Sequence, residues 1–146
     1  MMVFPARELK TLGDTAALAA SLAPLLTPGK ALLLEGDLGA GKTTFVQALA
    51  KCFGVARMVT SPTFTLANEY PLPQGGKLVH YDLYRLATPE GVYDLGLEDA
   101  LEAGARLLIE WPERARRVLD RELHHPLCLR LTHTPQGTRL AEVVQL

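Results

Sequence analysis

The amino-acid sequence predicts one α/β domain over residues 1–146, in which helices flank a mixed β-sheet extended by added β-hairpins. Two short apolar runs bounded by glycine, Ala31 to Glu35 and Ala105 to Ile109, have the composition of strands buried on both faces of a sheet. Alternating apolar and polar residues around Pro/Gly-rich turns indicate further strands. A chain of 146 residues fits one domain of ordinary size.

Composition and charge exclude several classes of protein. The net charge of −1 argues against a protein held to nucleic acid or to an anionic membrane mainly by bulk charge. Cys52 and Cys128 have no C-x-x-C spacing, which disfavours a disulfide framework or a structural zinc site and fits a reducing compartment. Because the longest uncharged apolar run, Ala16 to Leu26, is too short to cross a bilayer, we expect a cytoplasmic protein with no membrane segment.

The helices are predicted from caps and periodicity. Thr11 or Asp14 can cap a first helix that runs to about Ala23. A second helix is expected from Thr43 to Phe53, directly after a glycine-rich turn. The remaining helical segments are an acidic one at Leu97 to Ala103 and a basic stretch with Arg114, Arg116, Arg117 and Arg121.

Two hairpins complete the predicted sheet. Phe64 to Tyr70 and Lys77 to Tyr84 flank a six-residue connection, Pro71 to Gly76. In the second of these strands, Asp82 shares a face with residues 80 and 84. The last hairpin joins Leu127 to Thr132 with Thr138 to Val144.

One motif predicts a phosphate-binding loop. Gly36 to Thr43, GDLGAGKT, matches G-x-x-x-x-G-K-[ST] and stands between a predicted strand and a predicted helix. Its glycines, Gly36, Gly39 and Gly41, allow a tight loop whose amides approach phosphate oxygens. Lys42 supplies a positive charge for the β- and γ-phosphates, and the Thr43 hydroxyl can complete a magnesium shell. The predicted fold is therefore P-loop NTPase-like.

Magnesium and a reacting water call for carboxylates near this loop. Glu110 ends the buried run ARLLIE, the position of a Walker-B acid, and Asp82 projects from the hairpin strand. We therefore interpret Glu110, Asp82 and Lys42 as the catalytic residues. Asp37 lies inside the loop itself, where an acid is repelled by phosphates unless it faces away or orients water.

Two further features are compatible with a nucleotide site. Ser61-Pro62-Thr63-Phe64 stands where P-loop switch segments respond to the γ-phosphate, and a serine-capped proline turn is the alternative interpretation. Trp111 is the single tryptophan and directly follows Glu110, although a lone tryptophan often serves packing.

Four motifs in this order, GDLGAGKTT, SPTF, HYDLYRL and IEW, resemble the TsaE (YjeE) family from about Thr11 to Glu113. The resemblance implies a small P-loop ATPase acting with TsaB and TsaD in the threonylcarbamoyladenosine modification of bacterial tRNA. It implies that tRNA is contacted indirectly.

The resemblance also implies which residues bind ATP and Mg²⁺. The loop residues would be Gly36, Asp37, Gly39, Ala40, Gly41, Lys42, Thr43 and Thr44. Thr43, Glu110 and Asp82 would lie near the metal, and Ser61, Thr63 and Trp111 would complete the site. Thr11 and Arg139 would border the adenine, although Gly137-Thr138-Arg139 departs from the Gly-Arg spelling expected there.

Other functions remain open from the residues alone. A small-molecule kinase would need an acceptor pocket and an arginine-bearing lid, whereas the basic stretch is better placed for docking. A GTPase would show N-K-x-D, which Asn68 to Pro71 does not match, and a nucleic-acid binder would show interleaved aromatic and basic residues. Arg85 is the nearest candidate for a catalytic arginine, and strand alternation predicts that it points away from the Asp82 face.

Overall fold

A seven-stranded mixed sheet forms the centre of the fold in the computed structural model, which describes residues 1–62 and 65–146. The strands are β1 Met2–Leu9, β2 Ala31–Glu35, β3 Ala67–Pro71, β4 Lys77–Asp82, β5 Arg106–Glu110, β6 Leu127–His133 and β7 Arg139–Gln145. The helices are α1 Leu12–Leu22, α2 Lys42–Cys52, α3 Leu97–Glu102 and α4 Arg116–Glu122, with 3₁₀ turns at Ala23–Leu25, Pro89–Leu95 and Pro112–Ala115. The strand order is β1-β7-β6-β2-β5-β4-β3.

The four central strands β6, β2, β5 and β4 run parallel, and the outer strands are antiparallel to their neighbours. Strand β2 is buried on both faces: Leu32 and Leu34 pack in the apolar layer under α1 and α2, and Leu33 packs in the layer under α3 and α4. This confirms the predicted α/β class, because parallel strands covered by helices on both sides read as continuous apolar runs.

Helix α1 begins at the predicted cap. The Asp14 amide donates to Thr11 Oγ1 at 3.1 Å, and Asp14 Oδ2 accepts from the Thr11 amide at 3.1 Å, which closes a reciprocal capping box. Backbone hydrogen bonds from Lys10 and Thr11 hold the pKa of Asp14 below its usual value. Helix α1 therefore starts in a fixed position beside the loop that follows β2.

Strand β1 is absent from the sequence prediction. It pairs with β7 at the edge of the sheet, with irregular register between Met2 and Arg7, and most of its side chains are exposed. An edge strand with little burial has no clean apolar alternation, and Pro5 is tolerated there because an edge amide needs no partner strand. No periodic signal was available to reveal it.

Two other boundaries differ from the prediction. Strand β3 begins at Ala67 rather than Phe64, which lies outside the described residues, and Leu66 has a left-handed φ of 62°. The basic stretch opens as a 3₁₀ turn at Pro112–Ala115 and becomes α-helical only from Arg116. Within the described ranges no helix has the length and apolar character needed to cross a membrane.

Candidate active site

The site lies where three neighbouring parallel strands end. Leu34 of β2 is opposite Glu110 of β5, and Glu110 is opposite Asp82 of β4. The loop after β2 therefore emerges beside both predicted acids. This is the edge of an open α/β sheet at which ligands bind, outside the carboxyl ends of the strands.

The glycines of the loop are required by its geometry. A Cβ on Gly36 would lie 2.8 Å from the Leu131 carbonyl oxygen, so a larger residue would displace β6. Gly41 has a φ of 98° and immediately precedes α2, which begins at Lys42. The unpaired amides at this helix end provide an anion site, and the chemistry of the loop therefore fits phosphate groups.

Lys42 is nearly buried at the floor of the site, with 5% of its surface exposed. Its Nζ donates to the Gly36 carbonyl oxygen at 2.5 Å and lies 3.5 Å from the centroid of the Trp111 ring. Burial lowers the pKa of Lys42, an effect opposed by the negative charges of Glu110, Glu113 and Asp82. The ammonium group is thus surrounded by groups that attract it before any phosphate arrives.

Glu110 is held by a histidine that the sequence analysis did not select. His80 Nε2 lies 2.6 Å from Glu110 Oε2, with side-chain exposures of 0% and 4%. Together with Lys42, these two residues are the charged and imidazole side chains that the described part of the chain buries almost completely. Burying such groups is costly, so their convergence on one site indicates a functional role rather than ordinary packing.

Asp82 connects the site to the segment before the hairpin. Ser61 Oγ donates to Asp82 Oδ2 at 3.1 Å, and Asp82 Oδ1 accepts from the Tyr84 amide at 3.1 Å. The structure thus brings Ser61 to the predicted metal acid, and the switch role of this segment stays a prediction. Thr63, predicted in the same segment, lies outside the described residues.

Trp111 forms the wall opposite the loop. Its φ of 57° and ψ of 51° are left-handed, a conformation that a bulky residue adopts only at a cost of about 1–3 kcal/mol. The indole packs on Tyr84 with ring centroids 4.8 Å apart, and Arg114 lies 5.3 Å from the Tyr84 ring centroid. Its backbone strain and its contact with Lys42 place this tryptophan in the site.

A cleft of about 320 Å³ contains most of the predicted residues. Its lining residues are Leu38, Gly39, Gly41, Lys42, Thr43, Thr44, Ser61, Asp82, Glu110, Trp111 and Arg139. A second cavity of about 270 Å³ adjoins it and is lined by Thr11, Ala40, Thr44 and Arg139, among others. Asp37 is exposed and lines neither space, although its negative charge acts on Lys42 and raises the pKa of that ammonium against the effect of burial.

Arg139 contacts the loop rather than standing apart from it. Its Nη2 donates to the Gly39 carbonyl oxygen at 2.9 Å, and its Nε donates to that of Ala40 at 3.1 Å. A third bond links Nη1 to the Gly137 carbonyl oxygen at 3.4 Å. Arg139 therefore ties the β6–β7 hairpin to the phosphate loop.

Strand alternation does not apply to Arg85. Strand β4 ends at Asp82, so alternation no longer governs the residues that follow. Arg85 lines a cavity of about 240 Å³ together with Ser61, Asp82 and Trp111, next to the main cleft.

The basic stretch is occupied mainly by contacts within the chain. Arg116 and Arg130 both bind Glu35, with N–O distances of 2.6 and 3.0 Å. Arg117 pairs with Glu90, and Arg121 donates to the Tyr93 hydroxyl at 2.9 Å. These contacts attach α4 to the sheet and to the Pro89–Leu95 turn, while the side chains of Arg117 and Arg121 stay exposed. The docking role of this stretch therefore stays a prediction.

The fold and the site define a P-loop NTPase-like α/β domain, in which a glycine loop, a buried lysine and two carboxylates meet at the ends of parallel strands. Residues 9–140 match the family model described as "Threonylcarbamoyl adenosine biosynthesis protein TsaE". The chain therefore belongs to the TsaE family.

Bacterial relatives support this assignment. The tRNA threonylcarbamoyladenosine biosynthesis protein TsaE of Rickettsia conorii is 46% identical over 107 residues, which are 73% of this chain and 60% of that protein. The protein of the same name in Bacillus subtilis is 41% identical over 112 residues, 75% of this chain and 67% of that protein. The chain thus spans about three fifths of the Rickettsia protein.

A solved structure confirms the architecture. The crystal structure of Bacillus subtilis YdiB superposes with a TM-score of 0.73 at 29% identity. The match covers 98% of this chain and 86% of that chain. Because the match covers nearly the whole chain, it includes the edge strand β1, which the sequence patterns left unpredicted.

Proposed function

We propose that this chain binds ATP with Mg²⁺ and hydrolyses it slowly, as the ATPase of a cytoplasmic complex that makes the threonylcarbamoyladenosine modification of tRNA. Its protein partners would be TsaB and TsaD, and its contact with tRNA would be indirect. Membership of the TsaE family supports the pathway. The observation that carries the proposal is the convergence of Lys42, Asp82 and Glu110 on one cleft beside a glycine loop.

Nucleotide binding would follow the length of the cleft. The loop amides from Gly36 to Thr44 and the Lys42 ammonium would bind the phosphates, since a helix N-terminus and a buried cation both favour anions. The adjoining 270 Å³ cavity, which Thr11 and Arg139 line, has room for the adenine side of ATP. Because the two spaces share Gly41, Thr44 and Arg139, one ligand can occupy both.

The oxygen ligands for magnesium would come from three elements. The Thr43 hydroxyl and the carboxylates of Asp82 and Glu110 line the same cleft, and hard oxygen donors suit Mg²⁺. When bound, Mg²⁺ would neutralise charge on the β- and γ-phosphates. Glu110 would orient the attacking water, and Ser61 would hold Asp82 through its 3.1 Å hydrogen bond.

Slow turnover by the isolated chain is expected from the arginines. Among the described residues, Arg139 is the arginine that lines the cleft itself, and its guanidinium is engaged by three backbone carbonyls. A guanidinium held in this way is not positioned on a γ-phosphate. An arginine supplied in trans adds roughly 10³–10⁵ to the rate of comparable enzymes, so we expect partners to accelerate hydrolysis.

The test is steady-state phosphate release by the chain alone and with purified TsaB and TsaD from the same source. The proposal expects weak release alone and a large increase in the complex. Release that TsaB and TsaD do not change would contradict the partner-dependent part of the proposal.

A small P-loop kinase for a metabolite is the second candidate. The observation that favours it is the 240 Å³ cavity beside the cleft, because an acceptor could occupy that space between Asp82 and Arg85. The kinase requires the isolated chain to transfer phosphate to a small molecule at roughly 1–100 s⁻¹. Product analysis by phosphorus NMR separates transfer to a metabolite from hydrolysis.

A further inference from the structure

The buried His80–Glu110 pair lies behind the nucleotide cleft and has a consequence for the charges in it. We propose that His80 is a positioning residue that binds one carboxylate oxygen of Glu110 and thereby keeps this carboxylate out of an ion pair with Lys42. Both charged groups then remain available to the ligand. The importance of the arrangement for Mg-ATP rests on the proposed function, whereas the arrangement itself concerns the nucleotide-free chain.

The backbone places His80 for this role. In the β4–β5 register, Asp82 is opposite Glu110 and His80 is opposite Leu108. His80 is therefore two residues before Asp82 on the same strand face, diagonal to Glu110. From this diagonal position the imidazole spans the gap between the two strands, and its Nε2 comes within 2.6 Å of Glu110 Oε2.

The unpartnered nitrogen of His80 identifies the tautomer. Nδ1 is buried and has no hydrogen-bond partner within the described residues. If Nε2 carries the hydrogen, it donates to the Glu110 carboxylate and only a lone pair on Nδ1 is left without a partner. The other tautomer would bury an N–H without an acceptor and would bring two acceptors together at 2.6 Å. The geometry thus favours donation from Nε2 to Glu110.

Lys42 and Glu110 line one cleft with opposite charges, yet they are bound to other groups. Lys42 Nζ donates to the Gly36 carbonyl oxygen, while Glu110 Oε2 is bound to His80. Among the described residues, no carboxylate oxygen lies within the 4.0 Å ion-pair distance of the Lys42 Nζ. Two opposite charges in a poorly hydrated site attract each other strongly, so other groups must keep them apart. The Gly36 carbonyl oxygen and the Trp111 ring hold Lys42, and His80 holds Glu110.

The test uses two amides that differ in reach. In His80→Gln, the side-chain amide can occupy the position of Nε2 and donate to Glu110, whereas the shorter amide of His80→Asn cannot reach it. Tyr81→Phe is the matched control, because Tyr81 is buried on the opposite face and its hydroxyl has no partner among the described residues. Should His80→Asn fail to fold, His80→Leu takes its place as the variant without a donor.

The first readout needs no nucleotide. If Glu110 is released towards Lys42, the ammonium leaves the face of Trp111, and the emission of this single tryptophan changes. We expect a changed spectrum in His80→Asn and a wild-type spectrum in His80→Gln and Tyr81→Phe. We also expect that His80→Asn adds no further change in a Glu110→Gln background, where no carboxylate is left to move.

The second readout is the affinity for Mg-ATP by calorimetry. Residues that orient a metal ligand typically contribute 10–100-fold to affinity or activity. We therefore expect His80→Asn to weaken Mg-ATP by about 10–100-fold, and His80→Gln to stay within about threefold of wild type. In the Glu110→Gln background, His80→Asn should change the affinity by less than about threefold, because the two residues act as one unit.

A merely structural histidine gives a different pattern. In that case His80→Asn would lower the Mg-ATP affinity by the same factor with Glu110 and with Glu110→Gln, or His80→Gln and His80→Asn would lower it equally. Either result overturns the proposal. If the tryptophan signature appears as expected but no variant or wild-type chain binds Mg-ATP, the positioning role stands and the proposed function fails. If the chain binds Mg-ATP but all variants have the same tryptophan emission, the positioning role of His80 is wrong and the proposed function stands.

Discussion

The Lys42 ammonium lies 3.5 Å from the centroid of the Trp111 ring. Trp111 directly follows Glu110, the predicted magnesium acid, in the sequence. A cation over an indole face gains about 0.5–2 kcal/mol, depending on how dry the contact is. Lys42 therefore has two partners in the nucleotide-free chain, the indole and the Gly36 carbonyl oxygen. A phosphate that draws the ammonium towards itself must alter the surroundings of Trp111.

The fluorescence of Trp111 is predicted to report nucleotide binding. Adding Mg-ATP should change the emission, because phosphate would compete with the indole for Lys42 and the proposed metal site at Glu110 directly precedes Trp111. ATP with EDTA should give a smaller change. Titration of the emission, compared with calorimetry on the same samples, checks this. If emission stays constant while calorimetry records binding, Trp111 has only a packing role.

Lys42→Ala is predicted to weaken ATP about tenfold to a hundredfold or more, since a charge-assisted contact with phosphate contributes roughly 1.5–3 kcal/mol. Lys51→Ala is the matched control on the same helix, where the side chain is exposed and lies at the other end of α2. Calorimetry on folded variants measures both. Unchanged affinity in Lys42→Ala would remove the main support for a phosphate site.

Arg139 is predicted to act on the phosphate loop itself, and the variant Arg139→Ala distinguishes this from a role at the adenine. Its two bonds to the Gly39 and Ala40 carbonyls contribute about 1 kcal/mol each, so the variant should bind ATP, ADP and pyrophosphate about ten- to thirtyfold more weakly. Arg139→Lys should recover only part of this, because an ammonium cannot bind two carbonyls as a fork. Pyrophosphate affinity that equals wild type, beside weakened ATP, would instead assign Arg139 to the adenine.

The sequence predicted those features of the structure whose interacting residues are close together along the chain. Strand β2, Ala31–Glu35, has the predicted bounds because burial on both faces is visible in five consecutive residues. The Thr11–Asp14 capping box is equally local. By contrast, Arg139 meets Gly39 across 100 positions, so sequence reasoning named both residues without finding their hydrogen bond.

His80 shows the same limit within the site. Its spacing of two from Asp82 put it on the correct strand face, which was the available signal. Its partner, however, is 30 positions away on β5, and only the parallel register brings the two together. For Arg85, local reasoning had no basis, because the strand alternation it assumed stops at Asp82.

The stability of the chain is predicted to depend on Glu35 at neutral pH. Burial alone would raise the pKa of this carboxyl, but hydrogen bonds from Arg130 and Arg116 outweigh it and hold the pKa below its ordinary value of 4.5. A carboxyl whose pKa is lower in the folded than in the unfolded chain stabilises the fold at pH values above its unfolded-state pKa. This contribution is lost as the pH falls through the folded-state pKa.

Glu35→Gln should therefore lower the unfolding free energy by about 0.5–1 kcal/mol at pH 7, after allowance for partial solvent screening. The difference from wild type should shrink as the pH falls below 4.5. Denaturant titrations at a series of pH values measure this, with the exposed α3 variant Glu98→Gln as control. A difference that persists unchanged in acid would contradict the assignment to charge.

The last prediction concerns hydrolysis. The cleft combines a phosphate loop with two carboxylates, while Arg139, the arginine that lines it within residues 1–62 and 65–146, is bound to carbonyls. The isolated chain should accordingly release phosphate slowly, and the complex with TsaB and TsaD should release it much faster, by up to roughly 10³–10⁵ if a partner supplies a guanidinium to the γ-phosphate.

Glu110→Gln should suppress this acceleration and leave nucleotide binding partly intact, because the change would remove the proposed magnesium ligand and water-orienting group but would spare Lys42 and the loop amides. The amide introduced by this substitution also keeps a hydrogen-bond partner for His80, so the buried histidine is not left without one. Tyr81→Phe, buried on the opposite face of β4, should keep full acceleration. Phosphate release with and without partners, together with calorimetry for binding, measures both effects. If Glu110→Gln is accelerated as strongly as wild type, the acid that serves the reaction is Asp82 or lies outside this pair.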